Sequence, residues 1–243
     1  MATADAKETR EMTTAAEVKT MVQPLLERNP DLAFAGRMLF VRPVTHIARV
    51  IEITRNTGRF AFTPVWGSTF LFFPRDAPVV RWTSRLWYDS LGIWNTTHPD
   101  HQRALIETVE ANALPVLRKM HTIDDFVAFA DSGRPFFDRW DTETLRGLVV
   151  CAAKGDREGA QNASDYLLNS KRPREDEGLA EFLLITDSLC PLVAKWDRAG
   201  IARLLHEWEA FSVKTFKVEK YWQPTPFPIE MDMALESSST PPV

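Results

Sequence analysis

The stretch WNTTHPDH, Trp94 to His101, sets two histidines three residues apart, with Asp100 between them. Imidazole is a common zinc ligand, and a hydrolytic zinc takes three protein ligands and keeps a position for water. His98 and His101 would supply two ligands from one turn of chain, and the third would come from His46, His121 or a carboxylate brought in by the fold. On that reading the protein is a metal-assisted hydrolase. The pattern is HxxH, without the glutamate that makes HExxH diagnostic. The same residues also describe a helix start. Thr96 or Thr97 serves as N-cap, Pro99 sits where a missing N–H costs nothing, and Asp100 complements the positive end of the helix dipole. This second reading accounts for more of the residues, and it leaves His98 and His101 as exposed first-turn side chains.

A second concentration of chemistry lies upstream. Arg37, Arg42, Arg49, Arg55, Arg59, Arg75, Arg81 and Arg85 stand against only Glu52 and Asp76, and no lysine occurs between Lys19 and Lys119. That block carries a formal +6 and the rest of the chain −10, giving the net −4. Guanidinium groups match carboxylate and phosphate and stack on aromatic rings, and Trp66, Trp82, Trp87, Phe60 and Phe62 are interleaved with them. Such a surface suits an acidic partner, a phosphorylated ligand or single-stranded nucleic acid. Arginine on the solvent face of a sheet also discourages edge pairing, and here it has acidic helices of the same chain to pair with.

Other chemistries are missing from the sequence. There is no GxxxxGK[ST] phosphate loop, no GxGxxG and no GxSxG nucleophile elbow. Cys151 and Cys190 sit in apolar runs, LVVCAA and SLCPLV, which suit buried inert thiols. With no CxxC spacing and no disulfide framework, a reducing cytoplasm is the expected compartment. The first sixteen residues contain no apolar core of a signal peptide, and no apolar run approaches membrane-spanning length. Neither cofactor nor metal is called for.

Elements must position these residues. Val18, Met21, Val22, Leu25 and Leu26 recur at helical spacing after Thr14, with Pro24 interrupting and RNPD closing the element. RMLFVRPV, HIARVIEITRN, RFAFTPVWGSTFLFF and VVRWTSRLWY are β-branched and aromatic, separated by turns at RNTGR and FFPRDAP. Connections this short allow only antiparallel pairing. The chain is helical beyond Thr97: Leu105, Val109 and Ala113 trace one face, and Thr122 with Asp125 forms an acidic capping box. Two further helices meet at Gly155-Asp156, and the last runs from about Ala199 to Tyr221 with Ile201, Leu204, Leu205, Trp208, Phe211 and Phe216 inward. The expected fold is α+β: an antiparallel meander of three to five strands packed by helices, with a C-terminal helical region. The expected organisation is a loose tail over residues 1–13, a sheet domain over 14–131, a helical region over 132–222, and a proline- and serine-rich tail over 223–243.

The order from Thr14 to Ala130 resembles a family of small bacterial α+β domains of unknown function, in which a helix and an aromatic-rich meander precede a helix carrying an Ala-Leu-Pro-x-Leu run. Here that run is Ala113 to Leu117, followed by RKMHTIDDFVAFA. The resemblance covers about half of the chain and implies a small interaction protein similar to bacterial immunity proteins, with no functional residue to carry over. Together these readings predict a non-enzymatic cytoplasmic module that binds another protein, with Arg49, Arg59, Arg81, Trp66 and Trp82 as contact residues.

Overall fold

A computed structural model describes residues 14–56, 58, 60–88, 94–132, 145–170 and 178–231. Helix α1 (Ala15–Arg28) opens on a capping box, Thr14 accepting from the Glu17 N–H while the Glu17 carboxylate receives the Thr14 N–H. Val18, Met21, Val22 and Leu25 form its buried face. Pro24 does not end the helix, which continues to Arg28. Leu25 is locked into the core directly after the proline, and Asn29 closes the end by donating to the Leu25 carbonyl at 3.0 Å.

Six strands follow: β1 (Leu32–Ala35), β2 (Met38–Val41), β3 (Ile47–Arg55), β4 (Ala61–Phe70), β5 (Trp82–Arg85) and β6 (Trp94–Asn95). The first five lie side by side in chain order, every pair antiparallel, and β6 pairs with the start of β4 through Ala61 and Phe62. The α+β meander is therefore the observed fold. Two short strands at its margins, β1 and β6, join the four whose aromatic and β-branched runs announce them. Gly36, at φ 63°, makes the tight β1–β2 turn. At Gly67 a Cβ atom would lie 1.8 Å from the Trp82 carbonyl oxygen, so β5 can pair this closely only over a glycine.

One face of the sheet, carrying Leu39, Ile47, Ile51, Trp66, Phe70 and Trp82, packs into the main core with α1 and the later helices. The other face carries Phe40, Ala48, Val50 and Leu71 and packs on Val213, Phe216 and Val218. Both faces are thus covered over much of the sheet, which is why β3 and β4 carry long buried runs, Ile47–Ile51 and Pro64–Phe70, instead of alternating throughout.

Helix α2 (His101–Thr108) runs through a π-turn (Val109–Ala113) into α3 (Leu114–Leu117). The wider turn lies directly before Pro115, whose ring and missing N–H would disrupt regular α geometry at that point. Helix α4 (Ile123–Asp131) starts on the expected Thr122–Asp125 box. Helices α5 (Leu145–Lys154) and α6 (Arg157–Asn169) are joined at Gly155, with Asp156 capping through the Gly159 N–H. Helices α7 (Leu179–Lys195) and α8 (Arg198–Phe216) repeat the device, with Asp197 capping through the Gly200 N–H.

Residues 223–231, expected in a loose tail, are packed. A 3₁₀ turn (Glu219–Tyr221) leads to a bridge between Val44 and Trp222, and the Gln223 N–H donates to the Val44 carbonyl at 2.8 Å. Phe227 and Ile229 then enter the main core. Pro224 and Pro226 lie in the irregular run 223–227, and Pro228 opens a short helical turn (228–231) that carries Ile229, so the composition that suggests disorder serves an ordered segment. No helix among the described residues is long and apolar enough to cross a membrane.

Candidate binding groove and a buried histidine–glutamate cluster

Helix α2 begins at His101, one turn later than the sequence suggests, and the Asn95 carboxamide accepts from the Thr97 N–H and hydroxyl in the turn before it. The Thr96 or Thr97 cap is therefore replaced by an Asn95 turn. His98 is exposed as expected, whereas His101 is buried, its Nδ1 accepting the Asn95 N–H at 2.7 Å. The two rings stack with centroids 4.2 Å apart. Among the described residues no three histidine, cysteine or acidic side chains converge to hold a metal, and His46 is bound elsewhere.

The arginine-bearing sheet turns much of its charge inward. Arg49 is buried, and its guanidinium donates to the carbonyls of Val41 at 3.2 Å and Pro43 at 2.6 Å; burial pulls its pKa below the usual arginine value. Arg37 donates to the Ile53 carbonyl at 2.9 Å and is shifted the same way for the same reason. Arg75 is 6% exposed and lies over the Phe73 ring at 5.0 Å. Arg81 is half-buried, and Arg59 lies outside the described residues. Trp66 and Trp82 are core residues, packed at 5.9 Å on Phe129 and 4.8 Å on Phe126. Of the five contact residues expected from the sequence, Arg49, Trp66 and Trp82 thus sit inside the molecule. The alternation argument places them on a solvent face, and a sheet covered on both sides removes that face.

Two other regions gather around α8. On one side of the helix lies a buried polar cluster. Glu209 is 0% exposed, with both carboxylate oxygens 3.1 Å from Nδ1 of His46. Trp222 donates its indole N–H to Glu209 at 3.2 Å, and His206 Nδ1 lies 3.7 Å away. The far nitrogen of His46 faces the Thr225 hydroxyl at 3.1 Å and the Pro226 carbonyl at 3.3 Å. His206 meets Glu230 at 2.9 Å, and Glu230 also accepts the Phe227 N–H at 2.6 Å. The order carboxylate, imidazole, hydroxyl is that of a nucleophilic triad. Here Phe227 stacks on the His46 ring at 3.9 Å, and Thr225 and Phe227 belong to the same packed segment. The cluster fastens the strap to β3 and α8. It is a staple.

On the other side of α8 lies an open groove. The segment between β4 and β5 is tied to α8 by hydrogen bonds from Ser212 to the Phe73 carbonyl at 2.9 Å and from Thr215 to the Arg75 carbonyl at 3.1 Å. Between this segment, α7 and α8 is a cavity of about 640 Å³. Its apolar lining includes Val79, Leu184 and Phe211, which are 45%, 45% and 49% exposed, beside Trp208. Residues 207, 208 and 211 share this side of the helix because the helical repeat turns 206 and 209 away from it. Phe211, expected to point inward, faces the groove, and Glu209 takes the buried position.

Comparison with protein-family models, with curated proteins and with solved structures finds no match.

Proposed function

We propose that the protein is a non-enzymatic binding module whose partner is another protein, and that the partner docks in the groove between the β4–β5 segment, α7 and α8. One observation carries this reading: Val79, Leu184 and Phe211, three large apolar side chains left about half exposed, open into a single concave surface. Clustered exposed apolar groups mark interaction sites, whereas scattered ones are ordinary. A cavity of about 640 Å³ falls within the range of binding clefts, and aromatic anchors such as Phe211 and Trp208 dominate interface energetics. Arg49 and Arg75 are buried and Arg37 and Arg81 half-buried, while Arg42, Arg55 and Arg85 stay exposed, and the groove is preferred to the sheet face as the contact surface because its exposed apolar groups converge. A cytoplasmic location belongs to the same reading, supported by two free, buried cysteines.

Selection of peptides from a displayed random library tests it. The full chain should enrich sequences with apolar residues at regular spacing, and their binding should be lost in Leu184→Asp and Phe211→Asp while the circular dichroism of both variants stays unchanged. Peptides that bind these variants as well as the unaltered protein would remove the groove from consideration.

A further inference from the structure

The charges around the groove differ in availability by sign. Its two arginines are the withdrawn ones, Arg75 buried with its guanidinium over Phe73 and Arg81 half-buried. Its three carboxylates face the visitor, with Asp76 and Glu207 exposed and Glu181 half-buried. Among the described residues no ion pair or hydrogen bond engages the side chain of Asp76, Glu181 or Glu207. An apolar floor therefore lies beneath a rim whose accessible charge is negative.

We infer that the occupant of the groove is a basic amphipathic segment of the partner, with apolar side chains seated against Val79, Leu184 and Phe211 and lysine or arginine residues meeting Asp76, Glu181 and Glu207. This rests on the groove being the docking site, and it adds the chemistry of what docks. An acidic segment would bring like charge to the rim, and like-charge juxtaposition is what excludes wrong partners at interfaces.

Three synthetic amphipathic peptides with one shared apolar stripe, flanked by lysine, glutamine or glutamate, provide the test when titrated against the full chain by fluorescence anisotropy. The lysine-flanked peptide should bind about tenfold more tightly than the glutamate-flanked one, since exposed ion pairs contribute about 0.2–1 kcal/mol each and 1.4 kcal/mol is a factor of ten. The difference should shrink as salt is raised. The triple variant Asp76→Lys/Glu181→Lys/Glu207→Lys should reverse the order. Equal binding of all three peptides, lost in Leu184→Asp, would overturn the charge assignment and leave the groove as the docking site. Failure of all three to bind would overturn both.

Discussion

Helix α8 shows two opposite uses of a surface within one turn of chain. Toward the strap it presents Glu209, a carboxylate with no solvent contact and donors from His46 and Trp222 on its oxygens. Toward the β4–β5 segment it presents Phe211, an aromatic ring left 49% exposed. Polarity is buried on one side and hydrophobicity displayed on the other, the reverse of what solvation favours. The buried side is self-sufficient, because its polar atoms find partners in the same chain. Among the described residues the displayed side has no cover of that kind. The difference teaches where to look for function: a closed polar network fixes structure, and an unsatisfied apolar surface seeks something outside the described residues.

Breaking the closed side has the larger consequence. His46→Leu leaves Glu209 buried against a methyl-rich neighbour, and losing one partner of a buried pair costs about 3–5 kcal/mol. Chemical denaturation should show a loss of that order. The double change His46→Leu/Glu209→Leu should recover part of it, because no buried carboxylate is then left without its partner. Equal instability of the single and double variants would show that packing, and not the charge, is what the cluster supplies.

The contrast between the two sides was only half visible in the sequence. The sheet was legible because four runs of β-branched and aromatic residues are separated by glycine and proline turns, and the helix starts were legible in Thr122–Asp125 and in Gly155–Asp156. Strand β1 was not, since Leu32–Ala35 is four residues without alternation next to a helix end. Neither site was legible. The groove draws Val79 from a loop and Leu184 and Phe211 from helices more than a hundred residues later, and the cluster pairs residues 163 apart. Helical periodicity placed Phe211 inward with Leu204 and Trp208, and it gave no sign that a glutamate would hold the core position. A full wheel of α8 offers one clue: Glu209 lies among Leu205, Trp208, Val213 and Phe216, all of them buried.

A second comparison within the polar contacts concerns exposure. Asp31 accepts two hydrogen bonds from Arg118, at 2.7 and 2.8 Å, and this contact holds its carboxyl below the ordinary carboxylate range. A folded-state pKa that is depressed contributes stability above the unfolded value, and that stability is lost as the pH falls through the folded one. Denaturation midpoints should therefore decline in the acid range by less in Asp31→Asn than in the unaltered protein. An identical decline would show the bridge to be screened out by solvent, as many surface pairs are.

The smallest effect belongs to the open side. Leu184→Asp should change folding stability by no more than about 0.5 kcal/mol, as surface substitutions generally do. A loss comparable with that of His46→Leu would mean that the groove is part of the core, and the comparison would collapse.

The strap gives the fold an order in time. His46 lies on the first half of the chain, and its carboxylate partner follows 163 residues later. At synthesis rates of roughly 5–20 residues per second, the sheet waits on the order of ten seconds or more for Glu209 to emerge. Through that interval Phe40, Val50 and Leu71, which α8 eventually covers, remain available to whatever the nascent chain meets. Closure of the second sheet face is therefore a late event in the folding of the nascent chain, set by the arrival of Val213 and Phe216.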